Sequence, residues 1–248
     1  MLKLEDKLIV ALDVDSLERA EYFVDILYPK VRLFKIGSQL FTACGPRAVE
    51  LVAKKGAQVF LDLKWYDIPQ TVISSVTSGT GLSCALASVQ SPDSETIKQQ
   101  TSLPVFMMTV HASGTKEMMR AAVFAAQQKA EALHKKRPYI VGVTVLTSTQ
   151  PDAKTVGMVL ERALLAKDAG LDGNVCSVHE TAAVRDACGE RFIIVNPGIR
   201  PKGANAGGQK RVATAKAAFQ AGADYIVVGR PVLEAKNPLL ALNGILRD

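Results

Sequence analysis

The sequence predicts a parallel α/β fold closed into a (β/α)8 barrel, the TIM-barrel class, with its active site at the carboxyl ends of the strands. Short β-branched runs alternate with longer segments of helical period from one end of the chain to the other. Eight strand candidates fit into 248 residues, a length that suits one large domain or two small ones. Eight strand–helix units in that length favour closure over an open sheet, and a single domain spanning 1–248 is the expectation. After the first strand stands Asp13-Val14-Asp15 in place of a glycine fingerprint, which speaks against a dinucleotide site.

The first strand is expected at Lys7–Asp13, followed by a helix over Ser16–Leu27. Ser16 suits the N-cap, although Arg19 three residues on leaves the capping box incomplete. A strand at Val31–Ile36, a helix at Pro46–Lys54 and a strand at Ala57–Lys64 come next. An atypical polar segment then occupies about 73–103, longer than a crossover needs. Gly79 and Gly81 weaken any helix running straight on from Pro69. Leu82–Val89 fits a helix, and Ser94 fits the cap of a short one through Gln100. Regular alternation resumes with strand Pro104–Val110, helix Gly114–His134, strand Tyr139–Leu146 and helix Ala153–Ala169. Strand Gly173–Ser177, a helix opened by His179, strand Phe192–Asn196, helix Thr214–Ala221 and strand Tyr225–Val228 follow. A final helix begins after Gly229-Arg230-Pro231, with proline near its start.

Composition narrows the function classes. Apolar residues make up 48% of the chain and charged residues 22%, ordinary for a soluble globular protein. The longest apolar stretches, such as Leu8–Leu12 and Tyr139–Leu146, are too short to cross a bilayer. No basic leader with an apolar segment and small-residue cleavage site opens the sequence, so a cytoplasmic location is expected and no membrane partner. The formal net charge is +6, from 30 Lys and Arg against 24 Asp and Glu. These basic residues are scattered and not interleaved with aromatics, so a small anionic substrate is a simpler partner than nucleic acid. Cys44, Cys84, Cys176 and Cys188 have no paired spacing, and reduced incidental thiols are the better reading.

The chemistry concentrates in Asp62-Leu63-Lys64-Trp65-Tyr66-Asp67-Ile68-Pro69. If the third strand continues to Lys64, Asp62 and Lys64 share a face, and charges on an inward strand face are costly unless something requires them. Lys35 ends the preceding strand and Asp67 lies just beyond Lys64, so an alternating carboxylate–ammonium array is expected at the barrel mouth. The bland alternative is an ion pair plugging that mouth. Asp13, His111, Thr147, Asn196 and Gly229 also fall at strand ends. A second constellation suits an anion: Asn196-Pro197-Gly198-Ile199-Arg200-Pro201, then Gln209-Lys210-Arg211, then Gly229-Arg230-Pro231. Loops after strands seven and eight hold phosphate in many barrels; otherwise these arginines simply face water. His111, His134 and His179 are isolated and make no metal triad, so no metal is expected.

Ala11-Leu12-Asp13, Phe34-Lys35-Ile36-Gly37, Leu61 to Pro69, Val110-His111-Ala112-Ser113-Gly114, Pro197 to Pro201 and Val228-Gly229-Arg230-Pro231 together resemble the orotidine 5′-phosphate decarboxylase family. The six motifs stand in register over nearly the whole chain. The resemblance implies a homodimeric barrel that converts orotidine 5′-monophosphate to uridine 5′-monophosphate and carbon dioxide in pyrimidine biosynthesis, without metal or organic cofactor. It implies Lys35, Asp62, Lys64 and Asp67 as the catalytic set. Asp62 would sit against the substrate carboxylate, and Lys64 would deliver a proton to C6. Lys35 would bond Asp62 and the ribose, and Asp13 a ribose hydroxyl. Asp67, with Ile68 and Thr71, would reach into the partner subunit's site. Thr147 and Ser148 match the segment that contacts the pyrimidine, and Arg200, Gln209, Gly229 and Arg230 the phosphate side. Trp65-Tyr66, Asn196 and Val178-His179 depart from usual family residues, and the segment from Ile73 to Leu103 replaces what is normally one compact helix. Two rivals stand beside this expectation. One is a magnesium-dependent sugar-phosphate lyase of the same barrel group, which carries an acidic residue where Lys35 stands. The other is a catalytically impaired phosphate-binding barrel.

Overall fold

Eight parallel strands close on themselves in chain order, with the last hydrogen-bonded back to the first. The computed structural model describes residues 4–82, 103–149, 153–201 and 211–247. The strands are β1 (Leu8–Ala11), β2 (Leu33–Gly37), β3 (Gln58–Trp65), β4 (Val105–His111), β5 (Tyr139–Val143), β6 (Gly173–Val175), β7 (Ile193–Asn196) and β8 (Tyr225–Val228). Each lies inside its expected run or overlaps it closely. Around them lie α1 (Leu17–Leu27), α2 (Ser38–Cys44), α3 (Arg47–Lys54), α4 (Pro69–Gly81), α5 (Lys116–Ala132), α6 (Ala153–Asp168), α7 (Val178–Cys188), α8 (Ala215–Gln220), α9 (Arg230–Leu233) and α10 (Pro238–Arg247). No helix among the described residues is long and apolar enough to cross a membrane.

Local chemistry explains where helices start. Ser16 caps α1 by accepting from the Arg19 amide, as expected. Ser177 and Glu180 form a reciprocal capping box at α7. The expected weakness after Pro69 is corrected: α4 runs through both Gly79 and Gly81. Pro69 pre-sets the first turn, and the bare Gly79 lets the helix lie against the barrel. A Cβ on Gly79 would fall 2.7 Å from Trp65 Cη2 and 2.9 Å from Met108 Sδ. Propensity is overridden here by close approach. The short α2 was not expected, and the single expected final helix is two, α9 and α10. The helices expected at 82–89 and 94–100 fall outside the described residues, apart from Leu82, which ends α4.

Two apolar layers hold the barrel. The outer one packs strands against helices. The inner one consists of Ile9, Ala11, Leu33, Phe60, Met107, Val141, Val195 and Val227, all buried. Phe106, Tyr139 and Tyr225 floor it in edge-to-face contact, with ring centroids 5.2 and 5.7 Å apart. Strand side chains alternate faces. The next inward position above Ala11 is therefore Asp13, above Leu33 is Lys35, above Phe60 is Asp62, above Met107 is Thr109, and above Val227 is Gly229. The inner core thus sets the floor on which the polar residues stand.

Candidate active site

Above that floor opens a pocket of about 210 Å³. One wall carries Asp13, Lys35, Asp62 and Lys64; a second carries Val145, Leu146 and Thr147; the far end carries Gly198, Arg200, Gly229 and Arg230. The Lys64 ammonium lies 2.8 Å from Asp62 Oδ2, and the Lys35 ammonium lies 3.5 Å from the same oxygen and 3.0 Å from Asp13 Oδ1. Two cations thus share one carboxylate oxygen. Gly37 makes room for this, since a Cβ there would meet Lys35 Nζ at 2.8 Å.

Burial sets the electrostatics. Asp62 is only 8% exposed. Burial alone would push its carboxyl up, but Lys35, Lys64 and hydrogen bonds from Lys64 and Thr109 hold it below the usual carboxylate value. For Lys35 burial works against the charge, yet Asp62 and Asp13 overcome it and its pKa lies above the ordinary lysine value. Asp62 and Lys35 therefore hold each other in the charged state at neutral pH.

Two arginines converge on the opposite end of the pocket. Arg200 is buried and donates to the Ile199 carbonyl, and burial followed by the nearby Arg230 charge lowers its pKa. Paired guanidinium groups at one end, beside the backbone of Gly229 at the start of α9, suit a dianion.

Not every expected residue joins the pocket. Asp67 does not converge on the array within its own chain: it is exposed and accepts from the Ile68 amide at 2.7 Å. Ile68 and Thr71 are exposed beside it, with Tyr66. Thr147 lines the pocket, whereas Ser148 is exposed outside it. Gln209 lies outside the described residues. Asn196 is turned away from the pocket into the helix layer. It donates to the Cys176 carbonyl and lies 3.0 Å from the Thr181 hydroxyl. His111 contacts Tyr66 edge-to-face, and burial, then Lys64 and Arg162, lower its pKa, leaving a neutral imidazole.

Other residues support the site from behind, and Arg211, expected with the anion-binding loops, is one of them: it is buried in the interior and does not line the pocket. Arg211 and Glu180 form a wholly buried ion pair at 2.6 Å. Arg211 also donates to the Val145 and Leu146 carbonyls, and Arg162 to the Thr144 carbonyl. Three successive carbonyls entering the second wall are thereby pinned by arginines. The Ser177-x-x-Glu180 spacing was the available signal for one end of this device. Thr109, wholly buried, donates to Asp62 Oδ1 at 3.0 Å and accepts from the Lys64 amide at 2.8 Å. Cys176 is also buried, its thiol pushed up to about 12 by that burial, so it is inert.

Comparison with known proteins places this geometry. The family model described as Orotidine 5′-phosphate decarboxylase / HUMPS family matches residues 6–245. The chain is 43% identical to the orotidine 5′-phosphate decarboxylase of Moorella thermoacetica, covering 98% of this chain and 92% of that one. It is 42% identical to the orotidine 5′-phosphate decarboxylase of Coxiella burnetii, over 100% of this chain and 98% of that one. Among solved structures, orotidine 5′-phosphate decarboxylase from Lactobacillus acidophilus superposes with a TM-score of 0.77 at 30% identity, covering 98% of each chain.

Proposed function

Because the chain belongs to the orotidine 5′-phosphate decarboxylase / HUMPS family and is a carboxy-lyase acting on orotidine 5′-monophosphate in pyrimidine biosynthesis, we propose that it performs this decarboxylation without a metal, with Lys64 as the proton donor to C6. The observation that carries the reading is the shared Asp62 oxygen, flanked by the Lys35 and Lys64 ammonium groups at one end of a pocket that two arginines line at the other.

Loss of carbon dioxide from C6 leaves an electron pair in an sp² orbital outside the ring π system, so resonance helps little. An ammonium already aimed at that carbon stabilises the charge as it develops, with no solvent to reorganise. Asp62 holds Lys64 in that aim and sets a negative charge beside the departing carboxylate, a repulsion that vanishes once neutral carbon dioxide forms. Proton transfer from Lys64 to C6 then completes uridine 5′-monophosphate. Arg200, Gly229, Arg230 and Gln209 hold the phosphate, and binding energy from that end orients the base. Asp13 and Lys35 hold the ribose, and Thr147 the pyrimidine. The barrier to be removed is of order 20 kcal/mol, which no single contact supplies.

A magnesium-dependent sugar-phosphate lyase would need to seat a divalent ion beside Asp62. The Lys35 ammonium holds that position and repels such an ion. Carbon dioxide release from orotidine 5′-monophosphate, assayed with and without EDTA, tests the proposal. Equal turnover in both supports it. Turnover abolished by EDTA and restored by magnesium contradicts the metal-free reading, and no turnover with intact uridine 5′-monophosphate binding favours an impaired barrel.

The proposal includes a homodimer in which Asp67, Ile68 and Thr71 serve the neighbouring subunit's site. Support comes from their exposure beside Tyr66, which is 61% exposed, and from Asp67 lying outside the pocket lining of its own chain. Mixing inactive Lys64→Ala and Asp67→Ala chains, unfolded and refolded together, should restore decarboxylation through hybrid dimers. A mixture as inactive as its components would place both residues in one chain's site.

A further inference from the structure

The proton donor stands on a backbone that the barrel ladder does not hold. From Leu61 to Trp65 β3 advances four residues while β4 advances two, from Met108 to Val110, so the stretch carrying Asp62 and Lys64 bulges out of register. Within it Lys64 adopts φ of 52°, the left-handed region that a residue with a Cβ seldom enters. Such a conformation persists only where surrounding contacts fix it. The Lys64 amide bonds to the Thr109 side chain at 2.8 Å, and the same hydroxyl lies 3.0 Å from Asp62 Oδ1. Since a hydroxyl has one proton, and the Lys64 N–H occupies one of its lone pairs, that proton goes to Asp62. Oδ1 is thereby held by Thr109, leaving Oδ2 to the two ammonium groups.

We propose that Thr109 is a positioning residue for the decarboxylation: its one hydroxyl fixes the strained backbone of Lys64 and the carboxylate plane of Asp62 together. The role rests on the reading under Proposed function, because what Thr109 aims is the ammonium that acts at C6. Thr109 is absent from the pocket lining, so it acts through those two residues and not by touching substrate. The phosphate-side arginines are held by other elements, so the loss of Thr109 leaves ground-state binding in place.

The test compares wild type with Thr109→Val, which keeps the shape and removes the hydroxyl, and Thr109→Ser, which keeps the hydroxyl. Steady-state kinetics on orotidine 5′-monophosphate, affinity for uridine 5′-monophosphate and melting temperature are measured for each. Expected for Thr109→Val is a fall in kcat of about 10- to 100-fold, the cost of leaving buried polar groups unpaired at the reacting centre. KM and product affinity should stay within about twofold, and Thr109→Ser should recover most of kcat. A Thr109→Val protein as fast as an active wild type overturns the role, as does a Thr109→Ser protein as slow as Thr109→Val. If Thr109→Val does not fold, Thr109→Ala and Thr109→Ser decide by the same kcat comparison. An inactive wild type is a different failure, since it overturns the reading of function itself.

Discussion

At Asp62, burial and ion pairing pull in opposite directions, and pairing wins. Its folded pKa lies below its unfolded value, so its contribution to stability is present above the ordinary carboxylate range and is lost as pH falls through the folded value. Lys35 has the opposite sign: its folded pKa is raised, so its contribution is full below the ordinary lysine value and is lost only as pH climbs through the folded one. Urea unfolding of wild type and Asp62→Asn across pH should therefore show a gap that is level around neutrality and shrinks below about pH 4. A gap that widened on acidification would contradict the assignment. Asp62, Lys64 and Lys35 were legible in the sequence because charges at inward strand positions are costly and stand out. Thr109 was not, because a threonine inside an apolar strand run is indistinguishable from one that merely packs. The outward turn of Asn196 escaped too, since a strand end in sequence does not say which face the last residue takes.

Among the elements, the β-strands were the most legible, because a parallel sheet covered on both faces demands short, nearly continuous apolar runs. Helix α4 was the least legible. Its glycines argue against a helix on propensity, yet Gly79 is where the helix touches Trp65 and Met108. The buried pair of Arg211 with Glu180 links the N-terminus of α7 to the segment leaving β5. Glu180→Gln keeps an acceptor for the Ser177 amide but strands the Arg211 charge in the interior. Unfolding free energy measured in urea should fall by about 3–5 kcal/mol, the usual cost of breaking a buried pair from one side. A loss below about 1 kcal/mol would mean that Arg211 finds compensation from the Val145 and Leu146 carbonyls alone.

For the whole molecule, the closed barrel followed from counting eight strand–helix units, and the resemblance carried the chemistry to particular positions. What the sequence could not convey is how the pieces meet: a shared oxygen between two ammonium groups, a bulge that carries one of them, and a rim of exposed Tyr66, Asp67 and Ile68 outside the pocket lining. These depend on distances between residues far apart in the chain. The claim on which everything converges is that the Lys64 ammonium completes the reaction at C6 while the rest of the pocket binds. Carbon dioxide release by purified Lys64→Ala, measured beside its affinity for uridine 5′-monophosphate, tests that most directly. Turnover lost with nucleotide affinity largely kept is the expected result; a Lys64→Ala protein that decarboxylates at the wild-type rate would contradict it.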